Sequence, residues 1–147
     1  MKSTDHHPAL TRRPHSLAEV VEWASDPGVL DAYLREFLDT FYVCDESAQR
    51  QGMLRDAPVL TGQSRTDAYL AAVAEHLAQG DGLPAPTWVD APERFLKRPF
   101  FPCGLESLKA RLLVESPPAF RRRMIFVDFD PLYRPRRRTP PEKVLSA

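Results

Sequence analysis

A chain of 147 residues, 43% hydrophobic and 27% charged, suffices for one globular core and is short for two. Its 20 basic and 20 acidic side chains cancel, which argues against the basic surplus of a typical DNA-binding protein. No apolar run approaches the ~18–20 residues of a membrane span, no signal-peptide core is visible, and Cys44 and Cys103 fit no metal-ligand spacing; a cytoplasmic protein with reduced thiols and no membrane contact is expected.

Residues 1–15 read as a flexible polar leader. Ser16-Leu17-Ala18-Glu19 is a capping box, which starts a short helix with Leu17, Val20, Val21 and Ala24 on one face. Asp26 as N-cap and Pro27 at the first helical position open the next. There Leu30, Tyr33, Leu34, Phe37, Leu38 and Phe41 follow the i, i+3, i+4, i+7 spacing, which predicts a helix over 27–43. Residues 47–54 can form a turn or two. Ser64 or Thr66 suits the cap of a helix over 65–79 with Tyr69, Leu70, Val73 and Leu77 inward, ended by Gly80-Asp81-Gly82.

Proline then sets the pattern. The chain holds 15, about twice the usual ~5%, so later helices should be short. A brief helix is expected at 91–96, another over 104–114 with Leu105, Leu108 and Leu112 on one side, and one more turn through Phe120. A short strand is expected near 124–128, and an Arg/Pro-rich tail over 134–147. The fold class expected is mainly α: a single domain over 16–133, of five or six short helices with Pro-rich connections. Leu108 and Leu112 join the residues of the two long helices as its predicted core.

Charge is divided along the chain. Residues 1–93 carry 7 basic and 15 acidic side chains, and 94–147 carry 13 and 5. Such a division suits internal pairing, a polar partner face or a basic tail. The triplet Arg121, Arg122 and Arg123 is expected to be ordered and to face carboxylates of the acidic half or of a partner, since a guanidinium binds carboxylate as a planar fork. With Phe100 and Phe101 it forms the candidate partner-binding set. Arg134, Arg136, Arg137 and Arg138, near Phe129 and Tyr133, are the candidate contacts for nucleic acid in the alternative reading.

Asp128 and Asp130 are the candidate metal pair. In a strand they would share a face, about 6.5 Å apart, a spacing that can hold magnesium. "IFVDFDPL" resembles the first motif of haloacid dehalogenase-type phosphatases. That motif opens a large doubly wound fold, whereas 17 residues follow Asp130 here, and Pro131-Leu132 replaces the usual Gly-Thr. Nucleotidyltransferases that use Asp-x-Asp need an upstream Gly-Ser, which is absent. The two carboxylates are therefore expected to pair with arginines or cap a turn, and no metal is expected. His6, His7, Asp5 and His15 lack a packed scaffold for one. His76 falls at the edge of an apolar face, and Cys44 reads as a small core residue. Without a Gly-x-Gly-x-x-Gly or a phosphate-binding loop, no cofactor is expected.

Trp88, Phe95, Phe100 and Phe101 are many large apolar groups for loops, and suit a core cover or a docking patch. Residues 64–130, through "AYLAAVAEHLA", "WV…PERFL" and "ESPPAFRRRMIFVD", resemble a domain of uncharacterised bacterial proteins, some of which accompany nucleotidyltransferase-like toxins. The resemblance implies an antitoxin-like role and names no catalytic residue. The expected function is a non-enzymatic protein-interaction module of a bacterial cytoplasm, with another protein or itself as partner. The alternative is a small nucleic-acid-binding protein.

Overall fold

The computed structural model describes residues 13–135. It is mainly α: α1 (Leu17–Trp23), α2 (Pro27–Val43), α3 (Ser47–Arg55), α4 (Ser64–Gly80), α5 (Lys109–Glu115) and α6 (Pro118–Arg121), with 3-10 turns at Thr87–Asp90, Pro92–Arg94 and Glu106–Leu108. Among the described residues no helix is long and apolar enough to cross a membrane.

Local chemistry explains the starts and stops. Ser16 Oγ accepts from the Glu19 N–H at 3.2 Å, and Glu19 reaches back to the His15 N–H at 2.7 Å, one residue before the cap. Asp26 caps α2 by accepting from the Val29 N–H at 3.1 Å. At α4 the expected cap differs. Gln63 is the N-cap and makes no side-chain bond, while Ser64 and Thr66 lie inside the helix. The buried Asp67 ties the entry instead, accepting from the Thr61 N–H at 2.9 Å and its hydroxyl at 2.8 Å. Gly82, at φ +67°, turns the chain away after α4.

Later elements are more broken than the spacing predicts. Residues 87–94 form two 3-10 turns rather than one helix at 91–96, because Pro84, Pro86 and Pro92 withhold backbone donors. The helix expected over 104–114 begins as a 3-10 turn and becomes α5 only at Lys109. The strand expected at 124–128 is a single parallel bridge, Phe100 to Ile125. The Phe100 N–H donates to Met124 O at 2.8 Å and Phe100 O accepts from Phe126 at 2.9 Å. Pro99 and Pro102 limit Phe100's side of the pairing, and Met124 at φ +63° bends the other.

The core is one contiguous cluster. It contains Leu34, Phe37, Leu38, Phe41, Leu70, Val73 and Leu77 from the periodic faces, joined by Leu17, Val20, Met53, Leu54, Val89, Phe120, Ile125 and Leu132. Leu30, Tyr33 and Tyr69 are half-buried against it; Leu112 is buried and Leu108 half-exposed. α4 is the central element. Ala68, Ala71, Ala72, Ala74 and Ala78 all have no exposed surface, and these small side chains let α3, α6 and the 3-10 turns at 87–94 approach it from several sides.

Both described ends belong to this body. Pro14 is buried and Arg13 pairs with Glu36 at 2.9 Å, so the fold's contacts begin before residue 16. Arg134 forks onto Asp39 at 2.9 and 3.1 Å. Residues 1–12 of the expected leader and 136–147 of the expected tail, with Arg136, Arg137 and Arg138, lie outside the described residues.

Candidate functional site

The arginine triplet begins at Arg121, the last residue of α6, whose four residues rest on α4. Arg123 has no exposed surface. Its guanidinium donates to Ala119 O and Val89 O, both at 2.7 Å, and meets the buried Glu75 carboxylate at 2.7 Å. Arg122 forks onto the same carboxylate at 2.8–3.1 Å and reaches Asp90 at 2.6 Å. Phe95 lies under both guanidinium planes, at 5.0 Å and 4.6 Å. Two cations and two carboxylates thus close a neutral set around one aromatic ring. Hydrogen bonding to Glu75 raises the Arg122 pKa. Burial lowers that of Arg123, with Glu75 opposing. Arg121 donates to Ser116 O at 2.6 Å and Val114 O at 3.2 Å.

Two of the three arginines therefore face carboxylates of the acidic half, and the third holds backbone carbonyls. Arg123 is sealed inside the fold and presents nothing to a partner. Phe100 is half-buried under Arg65, 4.4 Å from its ring, and Phe101 stacks on Phe126 at 5.2 Å beside Lys109. Of the candidate nucleic-acid contacts, the described Arg134 is engaged by Asp39.

A second buried arginine has no mark in the sequence beyond its place after Pro92-Glu93. Arg94 donates to Pro58 O at 2.6 Å and Asp67 O at 3.2 Å, with Trp88 4.8 Å from its guanidinium. It ties the loop before α4 to the 3-10 turns after it. The short Pro-Glu-Arg turn places the side chain inward; periodicity over three residues carries no such information.

Asp128 and Asp130 lie beyond the bridge, both exposed. Asp128 Oδ1 accepts from the Asp130 N–H at 2.9 Å, a side-chain cap of the turn. Neither makes an ion pair among the described residues. Beside them the surface is grooved by two clefts, of about 210 and 250 Å³, that share Tyr69 and Pro102. One has Leu30, Leu34, Leu70 and Phe100 in its walls with Asp31 and Arg65. The other has Leu108, Leu112, Val127 and Pro131 with Arg111 and Asp128. Burial, then the fields of Asp31 and Asp128, push the Tyr69 phenol up to about 12.

His76 stacks edge-on against Phe120 at 5.6 Å, and burial pushes its pKa below the ordinary value while Asp130 opposes. Cys44 is half-buried at the end of α2, and Cys103 is exposed on the second cleft. Among the described residues no group of three His, Cys, Asp or Glu side chains could hold a metal ion.

Comparison with protein-family models, with curated proteins and with solved structures finds no match to this chain.

Proposed function

We propose that this protein is a non-enzymatic interaction module of a bacterial cytoplasm, and that the layer formed by residues 105–133 is its contact face. One observation carries the reading. Of the eight large apolar side chains exposed among the described residues, five fall in this layer: Leu105, Leu113, Val114, Phe129 and Tyr133. Val114 and Phe129 are 76% and 74% exposed. Single exposed apolar groups are ordinary, whereas several on one layer suit an interface whose anchors are aromatic and aliphatic. Rigidity supports the same reading, because Arg121 and Ser116 fasten α5, α6 and the segment at Val127 to one another at 2.6–3.2 Å.

The antitoxin-like role implied by the resemblance of residues 64–130 gives the partner's class, a nucleotidyltransferase-like toxin. Co-expression with the product of the adjacent gene, read by size exclusion with light scattering, tests the reading. A stable complex is expected, lost in Val114→Asp and Phe129→Asp variants whose helical signal is unchanged. A complex indifferent to both variants removes this face from the role. Binding of RNA or DNA by the parent protein, with a steep salt slope, replaces the reading with nucleic-acid recognition.

A further inference from the structure

We propose that residues 131–135 are a detachable strap, clasped to α2 by side chains, which opens without unfolding the body and recloses on a seat that stays built. The opening belongs to the free protein and is tested there; only its use at the contact face rests on the interaction-module reading.

Backbone bonding gives the first argument. Up to Val127 the chain is tied down: the Phe126 N–H donates to Phe100 O and the Val127 N–H to Ser116 Oγ, both at 2.9 Å. Beyond it, among the described residues, backbone N–H groups donate only within the segment, Asp130 to Asp128 Oδ1 at 2.9 Å and Tyr133 to Asp130 O at 3.4 Å. Pro131 and Pro135 have no N–H to give. What fastens the segment is Leu132, 3% exposed in the core cluster, the Tyr42 hydroxyl donating to Leu132 O at 2.9 Å, and the Arg134 fork on Asp39. A segment with so few tethers opens at a lower free energy than the whole fold.

The seat gives the second. Asp39 and Tyr42 stand one turn apart on α2, and the end of that helix is fastened from behind. Arg50 of α3 donates to Tyr42 O at 3.2 Å, lies over Phe41 at 4.8 Å and meets both oxygens of Asp81, the C-cap of α4, at 2.8 Å. None of these contacts involves the strap, so the clasp residues keep their places when it lifts. Burial, then the field of Asp130, push the Tyr42 phenol up to about 12, which keeps it a donor for reclosure. Tyr133, exposed on the proposed contact face, travels with the strap. Opening therefore switches that face between a form with Leu132 seated and one with Leu132 presented beside Tyr133.

Thiol trapping reads the opening. In the full-length protein with Cys44→Ser and Cys103→Ser, Leu132→Cys puts a lone thiol at the buried anchor, and Val73→Cys puts one in α4 at a position with no exposed surface. The strap thiol should be alkylated about a hundredfold faster or more, with a shallow urea dependence, because local opening exposes little surface. Asp39→Asn or Tyr42→Phe should speed it about three- to tenfold, as the loss of one hydrogen bond predicts. Val20→Ala, which weakens the core at α1, should speed the Val73→Cys thiol and leave the strap thiol unchanged. Chymotrypsin cleavage of the parent protein after Leu132 or Tyr133, followed by mass, reads the same opening with the leucine in place. It should accelerate about three- to tenfold in the two clasp variants. A strap thiol as slow as the Val73→Cys one, a steep urea dependence shared by both, or a strap rate that follows Val20→Ala overturns the proposal, because the segment then leaves only with the whole fold. Cleavage indifferent to both clasp variants overturns it too.

Discussion

The ten residues Arg121–Asp130 contain two opposite uses of charge. At one end, the buried Arg123 and the more exposed Arg122 beside it are neutralised by Glu75 and Asp90, 32–48 residues earlier in the chain. At the other, Asp128 and Asp130 stay in water, one capping the other's backbone. The difference follows from what lies beneath each end. The triplet leaves α6 directly over α4, whose alanines admit a guanidinium next to Glu75. The carboxylates come after the bridge to Phe100, where the chain has left α4 and meets the groove. Buried charges in this protein therefore secure the fold, whereas Asp128 and Asp130, which make no ion pair among the described residues, stay at the surface.

The largest effect that would break this contrast is at Arg123. Changing it to Ala strands Glu75 beside Arg122 alone and empties a buried volume, so a loss of about 3–5 kcal/mol is expected in denaturant unfolding. A loss under about 1 kcal/mol would place Arg123 among the surface charges. Between the two ends sits Met124, in the left-handed region at φ +63°. Met124→Ile should cost about 1–3 kcal/mol, since a β-branched residue resists that conformation, whereas Met124→Gly should be tolerated. Equal costs for the two would show that side-chain packing, not the backbone, governs this bend.

His76 sharpens the inward side further. Burial lowers its pKa in the folded state, so the unfolded chain takes up the proton first. Its contribution is complete above the unfolded value of ~6.5 and is lost as pH falls through the lower folded value. Denaturation midpoints measured from pH 7.5 down to 5 should decline less steeply for His76→Gln than for the parent. Parallel declines would assign the acid sensitivity to other groups. The smallest effect is predicted on the outward side: Asp128→Asn with Asp130→Ala should leave stability within about 0.5 kcal/mol, apart from the turn cap that Asn can still supply. A larger loss in the unfolding midpoint would mean that these carboxylates serve the fold after all.

The long α-helical faces were legible because periodicity is a local signal. The apolar spacing of residues 30–41 predicts α2 to its last residue, Val43, and that of 69–77 predicts one face of α4. What periodicity could not show was that α4 is covered on other sides too, since its alanines are equally at home exposed. The uneven charge along the chain made carboxylate partners for Arg122 and Arg123 readable. It could not name Glu75, which sits 47 residues from Arg122 in a helix where a glutamate ordinarily faces water. Arg94 was read as part of a helical turn for the same reason: its partners are carbonyls, and every residue has one. The groove was illegible because it is made by elements from across the chain. That Asp128 makes no ion pair among the described residues is visible only once the pairing of its neighbours is known.

The ends of the described chain come to rest on the same helix. Arg13 holds Glu36 and Arg134 holds Asp39, carboxylates three positions apart and so neighbours on one face of α2, and Tyr42, one turn further on, donates to Leu132 O at 2.9 Å. The described stretch, residues 13–135, is thereby nearly a closed loop, and where it is cut matters less than that it closes. A circular permutant that links Pro135 to Arg13 and opens at Gly62, an exposed glycine at φ +87° with open space around it, keeps α2 and its two clasps intact. In such a chain the proposed contact layer at 105–133 moves to the middle of the sequence, which leaves both new termini on the α3–α4 loop for attaching probes or surfaces.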